Sequence, residues 1–93
     1  MKDTTKNIIE DILVSNLEDM VPHNEITNSI DIMSSVTFDE SNKIDAEEMQ
    51  KALDKGMKYL STIAKPIQVE AINGIYQQQL LYAFHEIAKA LVQ

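Results

Sequence analysis

Apolar side chains recur at steps of three and four residues in four successive stretches of the chain. This spacing places them along one side of an α-helix, whereas a strand would alternate at every second residue. Pro22, Pro66 and a polar loop over Ser34–Ile44 separate the stretches. The sequence therefore predicts an all-α fold, a small helical bundle forming one domain over residues 1–93.

Residues 1–44 are predicted to hold two helices followed by that loop. The first helix begins at Thr4 or Thr5, whose hydroxyls can cap free amides, and ends at Pro22, which cannot donate a backbone hydrogen bond. The second helix runs from Asn24 to about Val36. The apolar positions are Ile8, Ile9, Ile12, Leu13, Leu17 and Met20 in the first helix, and Ile26, Ile30, Met33 and Val36 in the second.

Residues 45–93 are predicted to form an antiparallel helical hairpin. Asp45 and Glu48 have the spacing of a capping box at the start of its first arm, which ends just before Pro66. Gly56 lies on the apolar seam of this arm, where it would allow close backbone approach. That seam is Met49, Leu53, Gly56, Leu60 and Ile63. The second arm runs from Pro66 to about Val92, with a main stripe of Val69, Ile72, Tyr76, Leu80, Ala83, Ile87 and Ala90.

The dipeptide Asn73-Gly74 favours a competing structure within this arm. Between Ile72 and Ile75 it is typical of the turn of a β-hairpin. The stretch that follows is rich in Gln, Leu and Ala and favours a helix, and a short break near Gly74 would satisfy both patterns.

The last predicted helix carries a second stripe, pointing away from the first. It consists of Ala71, Ile75, Gln78, Tyr82, His85 and Lys89, with Leu81 beside it. Three interpretations are open: a helix buried on two sides inside its own bundle, an interface between identical subunits, or a ligand cleft at such an interface. The last two are compatible, since clefts between subunits often bind ligands.

Residues 71–87 carry an Ala-Ile pair, a Gln-Gln pair and an Ala-hydrophobe-polar pattern, at Ala71-Ile72, Gln78-Gln79 and Ala83-Phe84-His85. In this order they resemble the terminal helix of the phage helical-hairpin proteins that counter CBASS immunity. The resemblance extends over residues of about 46–92. The chain departs from that pattern with Val69 for an aromatic residue, Gly74 for a basic one and His85 for Asn.

This resemblance implies a small all-helical homo-oligomer that sequesters cyclic di- or trinucleotide messengers without cutting them. The ligand would lie in pockets between subunits, where Tyr76, Tyr82 or Phe84 would stack on bases. Polar edges and phosphates would be bound by side chains such as Lys65. The candidate ligand-binding residues are Tyr76, Gln78, Gln79, Tyr82, His85 and Lys89.

The charge distribution favours an alternative function. Residues 1–50 hold 12 acids and 3 lysines, a charge of −9, whereas residues 51–93 carry +2, giving the net charge of −7. An acidic amino-terminal half is typical of an inhibitor, immunity protein or chaperone that binds a basic protein. The chain contains no arginine, the usual forked ligand for phosphate, which argues against binding to duplex nucleic acid.

The sequence favours a protein that is not an enzyme and needs no cofactor or metal. It has no cysteine, no Gly-rich phosphate loop and no nucleophile elbow, and its two histidines lie far apart in the sequence. Residues 37–48 resemble a calcium loop, but Thr37 and Asn42 occupy positions where Asp and Gly are expected. With no long apolar run and no signal peptide, we expect no membrane association and a cytoplasmic location, the host cytoplasm if a phage encodes the chain.

Overall fold

The computed structural model describes residues 3–34, 46–63 and 70–92, and it is helical through most of them. Its helices are α1 (Asp3–Leu17), α2 (His23–Ser34), α3 (Ala46–Ile63) and α4 (Glu70–Val92). No strand occurs among these residues, so the all-α prediction is confirmed. None of the helices in these three ranges combines the length and the apolar character that crossing a bilayer requires.

The four helices form a closed ring around one core. Helix α1 contacts α2 and α4, and α3 contacts the same two helices, while the backbones of the diagonal pairs do not come close to each other in the described residues. The molecule is elongated, about 44 × 21 × 20 Å. Each helix therefore has two neighbours, a side facing the core and a side facing outward.

The core contains the apolar side chains predicted from the helical spacing. Within the described part of α4, the main stripe contributes Tyr76, Leu80, Ala83 and Ile87, all buried. The buried residues of the other helices include Ile9, Leu13 and Leu17 from α1, Ile26, Ile30 and Met33 from α2, and Met49, Leu53 and Leu60 from α3. Burial of these apolar surfaces is the main force that holds the helices together.

Gly56 permits close packing between α2 and α3, as the sequence predicts. It is buried, and a Cβ atom added there would lie 2.6 Å from Sδ of Met33. The missing side chain of Gly56 thus makes room for the fully buried side chain of Met33.

Polar contacts also join α2 to α3. The hydroxyl of Tyr59 donates to Oε2 of Glu25 at 2.5 Å, and Nδ2 of Asn28 donates to the Tyr59 oxygen at 3.3 Å. The bond to the Glu25 carboxylate raises the pKa of Tyr59, since it holds the phenolic proton in place. These bonds fix the end of α3 against the start of α2.

The predicted boundaries of the first helix are wrong at both ends. Helix α1 begins at Asp3, so Thr4 and Thr5 are helical residues rather than caps, and it ends at Leu17. The chain then turns, with the amides of Met20 and Val21 both donating to the Leu17 carbonyl. Pro22 opens α2 instead, because its carbonyl accepts from the amides of Glu25 and Ile26. A proline suits a helix start, since its missing N–H costs nothing there.

The helix favoured through Asn73-Gly74 is confirmed, and the competing β-hairpin is excluded. Helix α4 is continuous from Glu70 to Val92 and passes through both residues without a break. The predictions for Asp45, for the loop before it and for residues 64–69, which include Pro66, lie outside the described residues.

Candidate functional site

One side of α4 is open to solvent and carries most of the predicted binding residues. Ile75, Gln78, Tyr82, His85 and Lys89 are all exposed, and we call these five residues the outer face of α4. Their steps of three, four, three and four place them on one side of the helix, opposite the buried stripe. The interpretation that this second stripe is buried inside the chain's own bundle is therefore wrong for these five residues. Ala71 lies outside the described side chains.

Helix α4 carries the exposed large apolar side chains of an otherwise polar surface. Within the described ranges, the large hydrophobic residues with high exposure are Ile75 (55%), Leu81 (60%) and Tyr82 (55%), and all three belong to α4. In contrast, every exposed side chain described on α1, α2 and α3 is polar. Apolar groups concentrated on one helix typically mark a binding surface, whereas scattered ones need no explanation.

Tyr76, in contrast, belongs to the core. Its side chain is only 1% exposed, and its hydroxyl donates to the backbone carbonyl of Leu60 at 2.7 Å. Phe84 is buried as well. The Tyr76 ring is not open to a base in the single chain, because it points to the side of α4 that faces the other helices. The Phe84 ring is 6% exposed and forms part of the wall of a pocket between α3 and α4.

Burial raises the pKa of Tyr76 from 10.0 to about 12, and the negative charge of Glu25 adds to the shift. The folded chain therefore keeps this proton at a pH where the unfolded chain releases it. The contribution of the protonated Tyr76 to the free energy of unfolding should be fully present below about pH 10. It should be lost as the pH rises toward about 12. Urea denaturation at about pH 9 and about pH 11 measures this loss, and Tyr76→Phe should show a smaller loss than the native chain. An equal loss in both proteins would assign the alkaline instability to other groups.

The two remaining candidates, Gln79 and Lys89, differ in their surroundings. Gln79 is half-buried beside the outer face rather than on it. Lys89 is exposed, with Nζ 3.8 Å from Oε1 of Glu86 one turn earlier. Such an exposed pair is weak, so a phosphate could compete for the ammonium group. The structure thus brings together Gln78, Tyr82, His85 and Lys89.

An open groove lies between α3 and α4, next to the outer face. One part, of about 260 Å³, is lined by residues that include Gln50, Asp54, Met57, Leu81, His85 and Ala88. The adjoining part, of about 390 Å³, shares Asp54, Met57 and Leu81 and adds Lys58, Ser61 and Gln77. Of the α3 residues that line this groove, the sequence placed Leu53 on the predicted seam but did not reveal the others. Met57 directly follows Gly56 of the predicted seam, and its apolar character was the one available signal.

A second surface, on the amino-terminal helices, is strongly acidic. Residues 3–34 contain one lysine, Lys6, and seven acids: Asp3, Glu10, Asp11, Glu18, Asp19, Glu25 and Asp31. Glu10 lies 3.7 Å from Nε2 of His23, and Glu25 accepts the hydrogen bond from Tyr59. Most of the others are exposed, so this side of the bundle presents negative charge to solvent.

The described residues contain no group of three or more His, Asp or Glu side chains that could hold a metal ion. Comparison of the chain with protein-family models, with curated proteins and with solved structures finds no match.

Proposed function

We propose that this chain is a non-enzymatic helical binding protein that self-associates through the outer face of α4. In the assembly it would sequester a cyclic oligonucleotide messenger in pockets between subunits. The observation that carries this proposal is that exposed apolar residues and candidate ligand-binding residues lie on the same helix. The exposed apolar residues Ile75 and Tyr82 lie on the same side of α4 as Gln78, His85 and Lys89, with Leu81 beside them.

The self-association follows from the apolar part of this surface. Ile75, Leu81 and Tyr82 are each more than half exposed, and covering them would remove apolar area from water. Spacing that alternates between three and four residues is also the pattern of a helix that packs lengthwise against another helix.

The proposal includes an antiparallel hairpin formed by α3 and α4. Ser61 donates to Oε1 of Gln77 at 3.2 Å near the end of α3. One turn earlier in α3 and one turn later in α4, Met57 and Leu81 line the same groove, and Gln50 shares a pocket with Ala88. These pairs support opposite directions, because positions that decrease along α3 meet positions that increase along α4.

The ligand class follows from the chemistry of the exposed side chains and from the resemblance of residues 71–87. The Tyr82 ring can stack on a base, while the Gln78 amide and the His85 imidazole can bind base edges. Lys89 supplies a cation for phosphate. We leave Tyr76 out of this set because its ring and hydroxyl are used inside the core.

Light scattering and calorimetry test the proposal together. We expect the native chain to scatter as an oligomer and to release or absorb heat when cyclic di- and trinucleotides are titrated into it. Tyr82→Ala should weaken binding about 5- to 150-fold, since one stacked base is worth about 1–3 kcal/mol. Lys89→Ala should also weaken binding, whereas Lys55→Ala is the matched control, because Lys55 is exposed on α3 and lies away from the groove.

The variants must keep their helical content by circular dichroism for this comparison to hold. A native chain that scatters as a monomer at every concentration would contradict the self-association. An oligomer that gives no heat with any of these nucleotides would contradict the ligand.

A second candidate function, binding to a basic protein, is favoured by the acidic surface of α1 and α2. Residues 3–34 contain seven acids and one lysine, and five of the acids are exposed: Asp3, Asp11, Glu18, Asp19 and Asp31. A lysine-rich peptide should then bind with an affinity that falls steeply with salt, because exposed charges are screened over about 8 Å at physiological ionic strength. Binding of that peptide that does not change with salt would count against this function.

A further inference from the structure

We propose that two copies of the chain pack α4 against α4 in antiparallel directions, across a two-fold axis that passes at Tyr82. This inference rests on the proposed self-association. It adds which surface of the partner is used, the relative direction of the two α4 helices and the register between them. The occupant of the outer face is thus a second copy of the same face.

The polarity of the surroundings favours a second outer face as the occupant. Helices α1 and α3 flank α4, and their exposed side chains are all polar, although the half-buried Met57 of α3 is apolar. The apolar surface is therefore a ridge one helix wide, with polar margins on both sides. An identical ridge matches it in width and in polarity, as the self-complementary interface of a two-fold dimer requires.

The charges along the ridge select the antiparallel direction. Ile75 and Tyr82 are at its amino-terminal end and middle, whereas His85 and Lys89 lie toward its carboxyl end. A parallel pair would place Lys89 opposite the partner's Lys89, and like charges in contact are unfavourable. An antiparallel pair avoids this contact because the two carboxyl ends point apart.

The register follows from the positions around Tyr82. Ile75 and Lys89 both lie seven residues from it, about 10 Å along the helix. An axis at Tyr82 therefore places Ile75 opposite the partner's Lys89, where the apolar stem of the lysine can cover it while the ammonium group stays in solvent for a phosphate. Gln78 then faces the partner's His85, and the two Tyr82 rings meet at the centre.

The margin on the α3 side agrees with this arrangement. Met57 and Leu81 line both parts of the groove, so they lie at about the same height along the bundle. Along α3, Asp54 therefore comes just before the height of Tyr82 and Lys58 just after it. Reversal about the axis turns Asp54 toward the partner's Lys58. Opposite charges then face each other across the margin, which favours this docking direction.

Disulfide trapping tests the direction and the register, and the absence of native cysteine makes single substitutions unambiguous. The variants are Ile75→Cys and Lys89→Cys, both at exposed positions. On oxidation each variant alone should stay uncrosslinked, whereas an equal mixture should form a disulfide between the two different chains. Tyr82→Cys should crosslink to itself, because residues at the axis meet their own copies within the short Cα separation that a disulfide needs.

Mass spectrometry under non-reducing conditions identifies the pairs, and circular dichroism checks the fold of each variant. Crosslinking of Lys89→Cys alone, at the level of the mixture, would overturn the antiparallel direction. If no combination crosslinks while the native chain scatters as an oligomer, this interface fails and self-association through another surface stands. A native chain that is monomeric overturns both the interface and the proposed self-association.

Discussion

Replacing Tyr76 with alanine should lower the free energy of unfolding by about 3–5 kcal/mol, as loss of a large buried aromatic side chain does. Tyr82→Ala, six residues along the same helix, should change it by no more than about 0.5 kcal/mol. The difference follows from burial, because Tyr76 is 1% exposed and Tyr82 is 55% exposed. Urea denaturation followed by circular dichroism measures both values.

Dilute protein is required for this measurement, since self-association would add a concentration-dependent contribution to the stability of the native chain. A domain of this size has a total stability of about 5–15 kcal/mol, so Tyr76→Ala removes a large part of it. Tyr76→Phe is the intermediate control, and it should lose about 1 kcal/mol with the hydrogen bond to the Leu60 carbonyl.

The effects of Tyr82→Ala on function should be larger than its effect on stability. Tyr82→Ala should remain folded but self-associate and bind the ligand more weakly than the native chain. If Tyr82→Ala instead unfolds at the same urea concentration as Tyr76→Ala, the outer face of α4 is part of the core, and the proposed interface is wrong.

The two stripes of α4 show how much of this fold the sequence contains. Helical spacing predicted both, and Tyr76 and Leu80 of the main stripe are buried as expected. Spacing alone could not decide whether Gln78 and Tyr82 were buried as well, because it orders residues around one helix and does not place the neighbouring helices. The positions of α1 and α3 on either side of α4 leave the second stripe exposed.

The groove and the turn after α1 were less predictable for a similar reason. Asp54 and Lys58 acquire their place beside the outer face only when α3 packs on α4. Pro22 was compatible with ending one helix or opening the next. In the structure α1 ends at Leu17, five residues before the proline, and the amides of Met20 and Val21 both donate to the Leu17 carbonyl in the turn that follows.

The fold can also be tested at its two glycines, where adding a side chain should change the stability in opposite directions. Gly56→Leu should lower the free energy of unfolding by about 2–3 kcal/mol, because overpacking a filled core forces side chains off their preferred conformations. An added Cβ alone would lie 2.6 Å from Sδ and 2.7 Å from Cγ of Met33. Urea denaturation of Gly56→Leu, of Met33→Ala and of the double variant measures the loss of stability and shows whether the clash with Met33 causes it.

Removal of the Met33 side chain should relieve the clash, so the double variant should be more stable than the sum of the two single losses predicts, by about 1–3 kcal/mol. Gly74→Ala is the matched control. Nothing lies within 4 Å of a Cβ atom at Gly74, and alanine there should raise stability by about 0.5–1 kcal/mol through its greater helix propensity. Losses in the two single variants that simply add would show that Gly56 and Met33 do not pack together. A loss of stability in Gly74→Ala would contradict a continuous α4, because alanine is unfavourable only where the backbone is not helical.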